Sequence, residues 1–231
     1  GVSNTTEATS TESTTTNSST PRVSNTTEES STTSMSTTAV TEIPHPEKCD
    51  HLKINEYTAW CNDFKTNKNA SYMKYVKCLI ENNADLNAED NNKDHLTPLM
   101  YAARCNNIDV AALLIQNKAD VNARNIYHNT ALIEATNRNS TNVAELLIEN
   151  HANVNAKDNF KRTPLMYVSQ HKNFNIAELL IQHHANVNAE DDKEKTALMY
   201  AAGFNSIDIV RLLINKGAKL DAVDKEGKTV L

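Results

Sequence analysis

The side chains best suited to chemistry are four cysteines and a few histidines near them. Cys49, His51 and Cys61 could supply part of a zinc site, although their spacing is loose and a fourth ligand is not evident. A disulfide between Cys49 and Cys61 in an oxidising compartment is the alternative. Cys78 stands where the internal repeats described below have leucine, which predicts a buried free thiol.

The sequence contains none of the short motifs that organise common catalytic sites. It has no Gly-x-Gly-x-x-Gly, no P-loop, no His-Glu-x-x-His and no Gly-x-Ser-x-Gly. Only four glycines occur in 231 residues, so a glycine-rich phosphate loop is not available. His183 and His184 are adjacent, and adjacent residues do not share a helix face. We therefore expect no catalysis, no cofactor and no metal ion.

Charge and hydropathy exclude two further classes of partner. The net charge is −6, and residues 91–231 carry sixteen basic and sixteen acidic residues. The longest basic cluster is Lys161-Arg162, so the footprint of a nucleic-acid-binding protein is missing. No run of about 18 apolar residues occurs, which predicts no membrane span.

Residues 1–45 form a Ser/Thr/Asn-rich, low-complexity segment that we predict to be a disordered tail. Residues 1–42 include 25 serines or threonines and no aromatic residue, too little apolar surface to offset ordering entropy of about 1–2 kcal/mol per residue. Glycosylation sequons begin at Asn4, Asn17, Asn25, Asn69 and Asn139. A secreted mucin-like stalk and a flexible cytoplasmic or effector tail open to phosphorylation both fit. A glycan on Asn139 would crowd a tight turn, which favours an intracellular location.

A 33-residue internal repeat organises the chain from residue 91 onward. Five threonines lie 33 residues apart, each with a leucine two residues later: Thr97, Thr130, Thr163, Thr196 and Thr229. The block Leu-Leu-Ile recurs at 113–115, 146–148, 179–181 and 212–214, each time followed by an alanine and a relative of Asp-Val-Asn-Ala. Such a match at many positions over four periods is not a chance event.

A period of 33 with Thr97-Pro-Leu-Met100 and Ala119-Asp-Val-Asn-Ala123 resembles the ankyrin repeat. In that family each repeat is a β-hairpin loop followed by two antiparallel helices. The resemblance implies an all-α repeat solenoid of helix-turn-helix units joined by β-hairpin loops. The family usually has a histidine directly after Thr-Pro-Leu. In this chain apolar residues take that position, at Met100, Ile133, Met166 and Met199.

The periodicity supports that layout independently. Pro98 and Pro164 stand where a first helix would begin, and proline tolerates the first helical turn. The second helix of the first clear repeat is predicted to run from Ile108 to Asn117. We expect the first helix to bury Leu99, Ala102 and Ala103. We expect the second helix to bury Val110, Leu113 and Leu114. Asn106, Asn139 and Asn205 fall at the turns between helices, where asparagine tolerates a left-handed backbone. Lys172 breaks this pattern, although Asn173 follows it.

We assign residues 46–231 to the repeat domain. The first part, 46–90, is a degenerate capping repeat, and a helical spacing of apolar residues runs over 53–65 within it. Four clear repeats follow at 91–124, 125–157, 158–190 and 191–223, and 224–231 begins a truncated repeat, so we expect the array to continue beyond Leu231.

The resemblance implies a partner-binding surface on the hairpin tips and on the exposed side of the first helices. The residues four after each threonine are Tyr101, Glu134, Tyr167 and Tyr200, and those eight after include Arg138, His171 and Phe204. The tips offer His95, His128, Lys161, Arg162, Glu194 and Lys195. The Tyr stripe (Tyr101, Tyr167, Tyr200) could contact a partner or pack between repeats. Glu134 and Arg138 are expected to form an exposed i, i+4 pair.

The function expected from the resemblance is a monomeric protein-interaction scaffold that binds an unidentified partner protein. One alternative is the targeting region of a longer enzyme, toxin or host-directed effector whose active domain lies outside this sequence. Another is a secreted protein with a stalk and a binding module.

Overall fold

The computed structural model describes residues 68–90 and 94–230, which form an array of paired helices. In chain order the helices are α1 (Lys68–Glu81), α2 (Pro98–Arg104), α3 (Ile108–Gln116), α4 (Ala131–Asn137), α5 (Thr141–Glu149), α6 (Pro164–His171), α7 (Phe174–Gln182), α8 (Ala197–Gly203) and α9 (Ile207–Asn215). Over the described ranges, strand pairing is limited to one isolated bridge between Glu190 and Thr196. The prediction of an all-α repeat solenoid is confirmed.

The helices stand in two rows. The inner row is α2, α4, α6 and α8, and the outer row is α1, α3, α5, α7 and α9. Neighbouring helices of one row pack against each other, and from α2 onward the two helices of each repeat also pack against each other. Small inner-row side chains such as Ala102 and Ala103, both fully buried, allow this close approach.

Threonine precedes each inner helix, and at three of the four its side chain caps the first turn, whereas the Thr163 hydroxyl before α6 makes no such bond. The hydroxyls of Thr97, Thr130 and Thr196 accept from the N–H three residues later, at 3.3, 3.3 and 3.4 Å. Pro98 and Pro164 each follow a threonine and occupy the first helical position, as predicted.

Left-handed backbone recurs three times in each repeat, and most of these positions hold residues other than glycine. Between the two helices of a repeat they are Asn106, Asn139, Lys172 and Asn205, with φ of 51°, 56°, 59° and 54°. The three asparagines confirm the prediction, and Lys172, which breaks the asparagine pattern, adopts the same left-handed conformation. After the outer helices they are Asn83, Lys118, His151, His184 and Gly217, and in the hairpins they are His95, His128, Lys161, Glu194 and Gly227.

The buried faces follow the predicted periodicity. Leu99 in α2 and both Val110 and Leu114 in α3 are at most 1% exposed, whereas Leu113 is only partly buried. Helix α3 ends one residue before the predicted Asn117, which caps it. Helix α1, Lys68–Glu81, lies within the part assigned to the degenerate capping repeat.

The prediction of a free thiol at Cys78 is wrong. Cys78 and Cys105 are both disulfide-bonded. The leucine pattern predicted a buried position, and the side chain is partly buried, but the pattern carried no information on a bonding partner. The predicted zinc or disulfide residues Cys49, His51 and Cys61 lie outside the described residues, as do the tail 1–45 and the helical spacing at 53–65.

Candidate functional site: the fingers and the inner helices

Between each outer helix and the following inner helix the chain makes a short hairpin, which we call a finger. These are finger 1 (88–96, described at 88–90 and 94–96), finger 2 (123–129), finger 3 (156–162), finger 4 (189–195) and finger 5 (222–228). In finger 3 the Asp158 N–H donates to the Arg162 carbonyl at 3.1 Å. One Asp158 carboxylate oxygen accepts from the N–H groups of Phe160 (2.9 Å) and Arg162 (2.8 Å). Asn125, Asp191 and Asp224 close fingers 2, 4 and 5 in the same way. The predicted β-hairpin loops are thus tight, side-chain-closed turns.

Neighbouring fingers are joined by main-chain hydrogen bonds. An N–H of each finger donates to a carbonyl of the finger before it, from Asn159 to Tyr127 (3.1 Å), from Asp192 to Phe160 (2.9 Å) and from Lys225 to Lys193 (3.0 Å). The fingers from 2 to 5 are therefore one linked row whose tips have fixed spacing.

A ladder of asparagine side chains supports the base of this row. The carbonyl oxygens of Asn122, Asn155 and Asn188 accept N–H groups of the next repeat at 2.7, 2.8 and 2.8 Å. Their amide nitrogens donate to main-chain carbonyls of that same repeat, at 3.3, 3.1 and 3.1 Å. The recurrent asparagine after the Leu-Leu-Ile block is therefore a connection between repeats.

The Tyr stripe connects α2, α6 and α8 to their fingers. The Tyr167 hydroxyl donates to Asp158 at 2.7 Å, the Tyr200 hydroxyl donates to Asp191 at 2.6 Å, and the Tyr101 hydroxyl donates to Asp90. Tyr101 and Tyr167 are buried, and Tyr200 is partly exposed. Burial, followed by the aspartate it bonds, raises the pKa of Tyr167 and of Tyr200 well above the usual value. This geometry favours the packing interpretation of the stripe over direct partner contact.

Glu134 replaces tyrosine in the second repeat, and its partners change accordingly. It is 1% exposed and accepts from Arg104 Nε at 2.7 Å and from the Asn129 amide at 2.7 Å. Finger 2 has the neutral Asn125 at the position where fingers 3 and 4 have aspartate, so two carboxylates do not face each other. The predicted exposed pair of Glu134 with Arg138 is wrong, because Glu134 points into the array toward the preceding inner helix.

The other residues predicted on the inner helices are at the surface. Arg138, His171 and Phe204 are all exposed, and Phe204 remains 50% exposed. His171 Nε2 lies 2.8 Å from the Asn137 carbonyl of the repeat before it. Phe204 and Tyr200 line an open groove of about 390 Å³ beside finger 5.

The predicted fingertip residues differ in how far they are already engaged. His128, Lys161 and Glu194 are exposed, and His95, Arg162 and Lys195 are partly so. His95 Nδ1 lies 3.6 Å from a Glu89 carboxylate oxygen, and Lys195 Nζ lies 3.7 Å from Asp224. Arg162 forms an ion pair with Asp158 at 2.9 Å, and its guanidinium carbon lies 4.8 Å from the ring centroids of both Phe160 and Tyr167.

The sequence analysis missed the apolar fingertip residues. Ile126, Tyr127 and Phe160 are 52%, 40% and 56% exposed, at the tips of fingers 2 and 3. The signal available in the sequence was the placement of large apolar side chains in loops whose equivalents in fingers 1 and 4 are polar. These side chains, with the finger cations, form a surface that can bind a partner but holds no evident catalytic group. Among the described residues, no group of three or more His, Cys, Asp or Glu side chains is placed to hold a metal ion.

Comparison with known proteins agrees with the repeat geometry. A family model described as ankyrin repeats (3 copies) matches residues 49–125, 67–158 and 132–224, which together span most of the chain. The chain belongs to the ankyrin-repeat family. An ankyrin repeat protein of fowlpox virus (strain NVSL) is 29% identical over 83 residues, which cover 32% of this chain and 24% of the viral protein. The match thus spans about a quarter of that relative.

As an ankyrin-repeat protein the chain has the general character of a protein-interaction module. No helix in the described ranges has the length and hydropathy to cross a membrane.

Proposed function

We propose that this ankyrin array is a non-catalytic interaction module that binds a partner protein through the tips of fingers 2 and 3 and the adjoining inner-helix surface. The observation that carries the proposal is the exposure of Ile126, Tyr127 and Phe160 on a row of fingers held rigid by main-chain bonds. Rigid aromatic side chains are typical anchors of protein interfaces, because little entropy is lost when they bind.

The internal contacts of the other predicted contact residues also support the proposal. Tyr101, Tyr167 and Glu134 are used inside the molecule, where they fix each finger to an inner helix. The partner surface that remains comprises the fingertips together with Arg138 and His171, both of which are exposed. We propose a monomer, with no nucleic acid among its partners.

Affinity capture with two matched variants of the full chain tests this function. Tyr127→Ser with Phe160→Ser removes two exposed rings from the fingers, and Phe174→Ser with Ile207→Ser removes two exposed apolar side chains from the starts of outer helices. Circular dichroism first establishes that both variants fold. We expect the finger variant to lose a partner that the parent and the outer-helix variant retain. Retention by the finger variant with loss by the outer-helix variant would place binding on the opposite row.

A second candidate function is the targeting region of a longer protein with an active domain elsewhere. The observation that favours it is the match to a viral ankyrin protein over only 24% of that protein's length. A full reading frame with a catalytic motif outside this sequence would support this candidate.

The disulfides bear on location. Disulfide bonds persist in oxidising compartments and are rare in the cytosol, so Cys78 and Cys105 favour the secreted alternative with a glycosylated Ser/Thr tail. This runs against the intracellular preference drawn from Asn139, whose side chain accepts a hydrogen bond from Asn173 at 2.7 Å and would have to be freed to carry a glycan. The two observations agree if glycans occupy the tail sequons and not Asn139.

A further inference from the structure

Fingers 2 and 3 form a basic island beside the acidic fingers 1 and 4. Together they contain four basic side chains (Arg124, Lys157, Lys161, Arg162) and one carboxylate, Asp158. Finger 4 contains four carboxylates and two lysines, and the described part of finger 1 contains three carboxylates without lysine or arginine. Finger 5 contains two carboxylates and two lysines, so the net positive charge of the row lies on fingers 2 and 3.

Most of the island's charge is not neutralised within the array. Asp158 forms an ion pair with Arg162 and accepts hydrogen bonds from two main-chain N–H groups and from the Tyr167 hydroxyl. Arg124 and Lys157 donate to main-chain carbonyls of the next repeat, at 2.7 and 3.3 Å, and these contacts orient the two cations without cancelling their charge. Lys161 is exposed at the finger 3 tip.

The same two fingers carry the apolar anchors. Ile126 and Tyr127 lie on finger 2 and Phe160 on finger 3, and the bond from Asn159 N–H to the Tyr127 carbonyl (3.1 Å) holds the two tips together. Arg162 lies 4.8 Å from the Phe160 ring and adds cation–π contact that supports this ring. Apolar and cationic side chains therefore share one small surface, fixed by the finger row.

We infer that the tips of fingers 2 and 3 bind an acidic protein segment that presents an aromatic or aliphatic side chain. The apolar side chain would lie against Ile126, Tyr127 and Phe160, while carboxylates on either side would meet Lys157, Lys161 and Arg124. Charge complementarity selects this occupant, because the cationic side chains of fingers 2 and 3 attract carboxylates and repel a basic segment. The inference rests on the proposed function and names the chemistry of the partner.

Peptide display on the full chain provides the test. A library of random peptides is selected on the immobilised protein, and the affinity of enriched peptides is measured at low and high NaCl. We expect enriched peptides to combine two or more Asp or Glu with a Phe, Leu, Ile or Trp, and to lose affinity as salt rises. Enrichment of basic or uncharged peptides would overturn the inference.

Charge-reversal variants locate the site. Lys157→Glu with Lys161→Glu should weaken the selected peptides at least tenfold. Lys193→Glu with Lys225→Glu makes the same charge change on fingers 4 and 5 and should change affinity less than twofold. Equal weakening by both pairs would indicate nonspecific attraction and would contradict the inference.

Other results separate this inference from the proposed function. If peptides or a captured partner bind but are insensitive to Lys157→Glu with Lys161→Glu, the interaction function stands and the acidic-segment inference fails. If nothing binds to any folded variant, both fail. Light scattering could show concentration-dependent dimers that are lost in the Lys157→Glu/Lys161→Glu variant. That result would mean that the island binds the acidic finger 4 of a second copy, and it would contradict the inference. Tighter binding of single-stranded DNA than of any peptide would likewise contradict it.

Discussion

The Tyr167 hydroxyl donates a 2.7 Å hydrogen bond to Asp158, nine residues earlier and on the finger that precedes its helix. Asp158 meanwhile accepts two main-chain N–H groups of that finger and the Arg162 guanidinium. One buried carboxylate thus closes the finger and joins it to the inner helix. Asp191 with Tyr200 repeats the arrangement, which fixes the finger tips relative to the helical array.

Removing the Tyr167 hydroxyl should destabilise the array without changing its fold. Tyr167→Phe leaves a buried carboxylate short of one donor, and we expect a loss of about 1–2 kcal/mol in the free energy of unfolding. Urea denaturation followed by circular dichroism measures it. Tyr200→Phe should cost less, since Tyr200 is partly exposed. An unchanged unfolding midpoint for Tyr167→Phe would contradict the role given to this bond.

The same tyrosines should make the protein sensitive to high pH. The pKa of Tyr167 and that of Tyr200 are raised in the folded state, so their contribution to stability is complete below the unfolded pKa of about 10 and is lost as pH rises above it. We expect the parent to lose stability between about pH 10 and 11, and the Tyr167→Phe/Tyr200→Phe variant to lose less. Thermal denaturation of both proteins at about pH 10 and pH 11 measures the loss of stability. If the parent and the variant lose the same amount, these phenols are not the cause.

The ion pair between Arg104 and Glu134 should behave as one unit. Arg104→Met leaves Glu134 buried with only Asn129 as a partner, and we expect a loss of about 3 kcal/mol. Arg104→Met combined with Glu134→Met should cost clearly less than the sum of the single changes, as measured in a double-mutant cycle. Additive losses would mean that the two side chains do not interact in solution.

Glycine should stabilise the protein at its left-handed positions. Lys118 has φ of 66° at an exposed turn where the last repeat has Gly217, with φ of 83°. Lys118→Gly removes the steric cost of the left-handed backbone but makes the unfolded chain more flexible. The net effect should be a gain of about 0.5–1 kcal/mol in the free energy of unfolding. Lys118→Ala retains the Cβ atom and should bring no gain, while Gly217→Ala should destabilise. A gain from Lys118→Ala equal to that from Lys118→Gly would refute the backbone explanation.

The cysteines offer a chemical test. Alkylation of the denatured, unreduced protein should leave Cys78 and Cys105 unmodified, and reduction should expose both to reagent in peptide mass spectrometry. Alkylation of both cysteines before reduction would remove the argument for an oxidising compartment.

The repeat architecture was predictable because it depends on local chemistry that recurs every 33 residues. Threonine caps, prolines at helix starts and asparagines at left-handed turns each act within a few residues, so the sequence pattern predicts them. The partners of Tyr167 and Glu134 depend on how a finger folds back on its helix, which periodicity alone does not show. The recurrence of Asp nine residues before Tyr at 158 and 191, with Asn125 before Glu134, was a usable signal. The pairing of Glu134 with Arg104 crosses repeats and required the structure.

Photo-cross-linking at the finger tip tests the central claim most directly. A benzophenone amino acid replaces Phe160 in one sample of the chain and the exposed Phe174 of α7 in another. After irradiation in an extract that contains the natural partner, our account predicts a discrete cross-linked polypeptide at position 160 that is absent at position 174 and is weakened by Lys157→Glu with Lys161→Glu. A cross-link at position 174 alone, or none at either position, would contradict the assignment of partner binding to fingers 2 and 3.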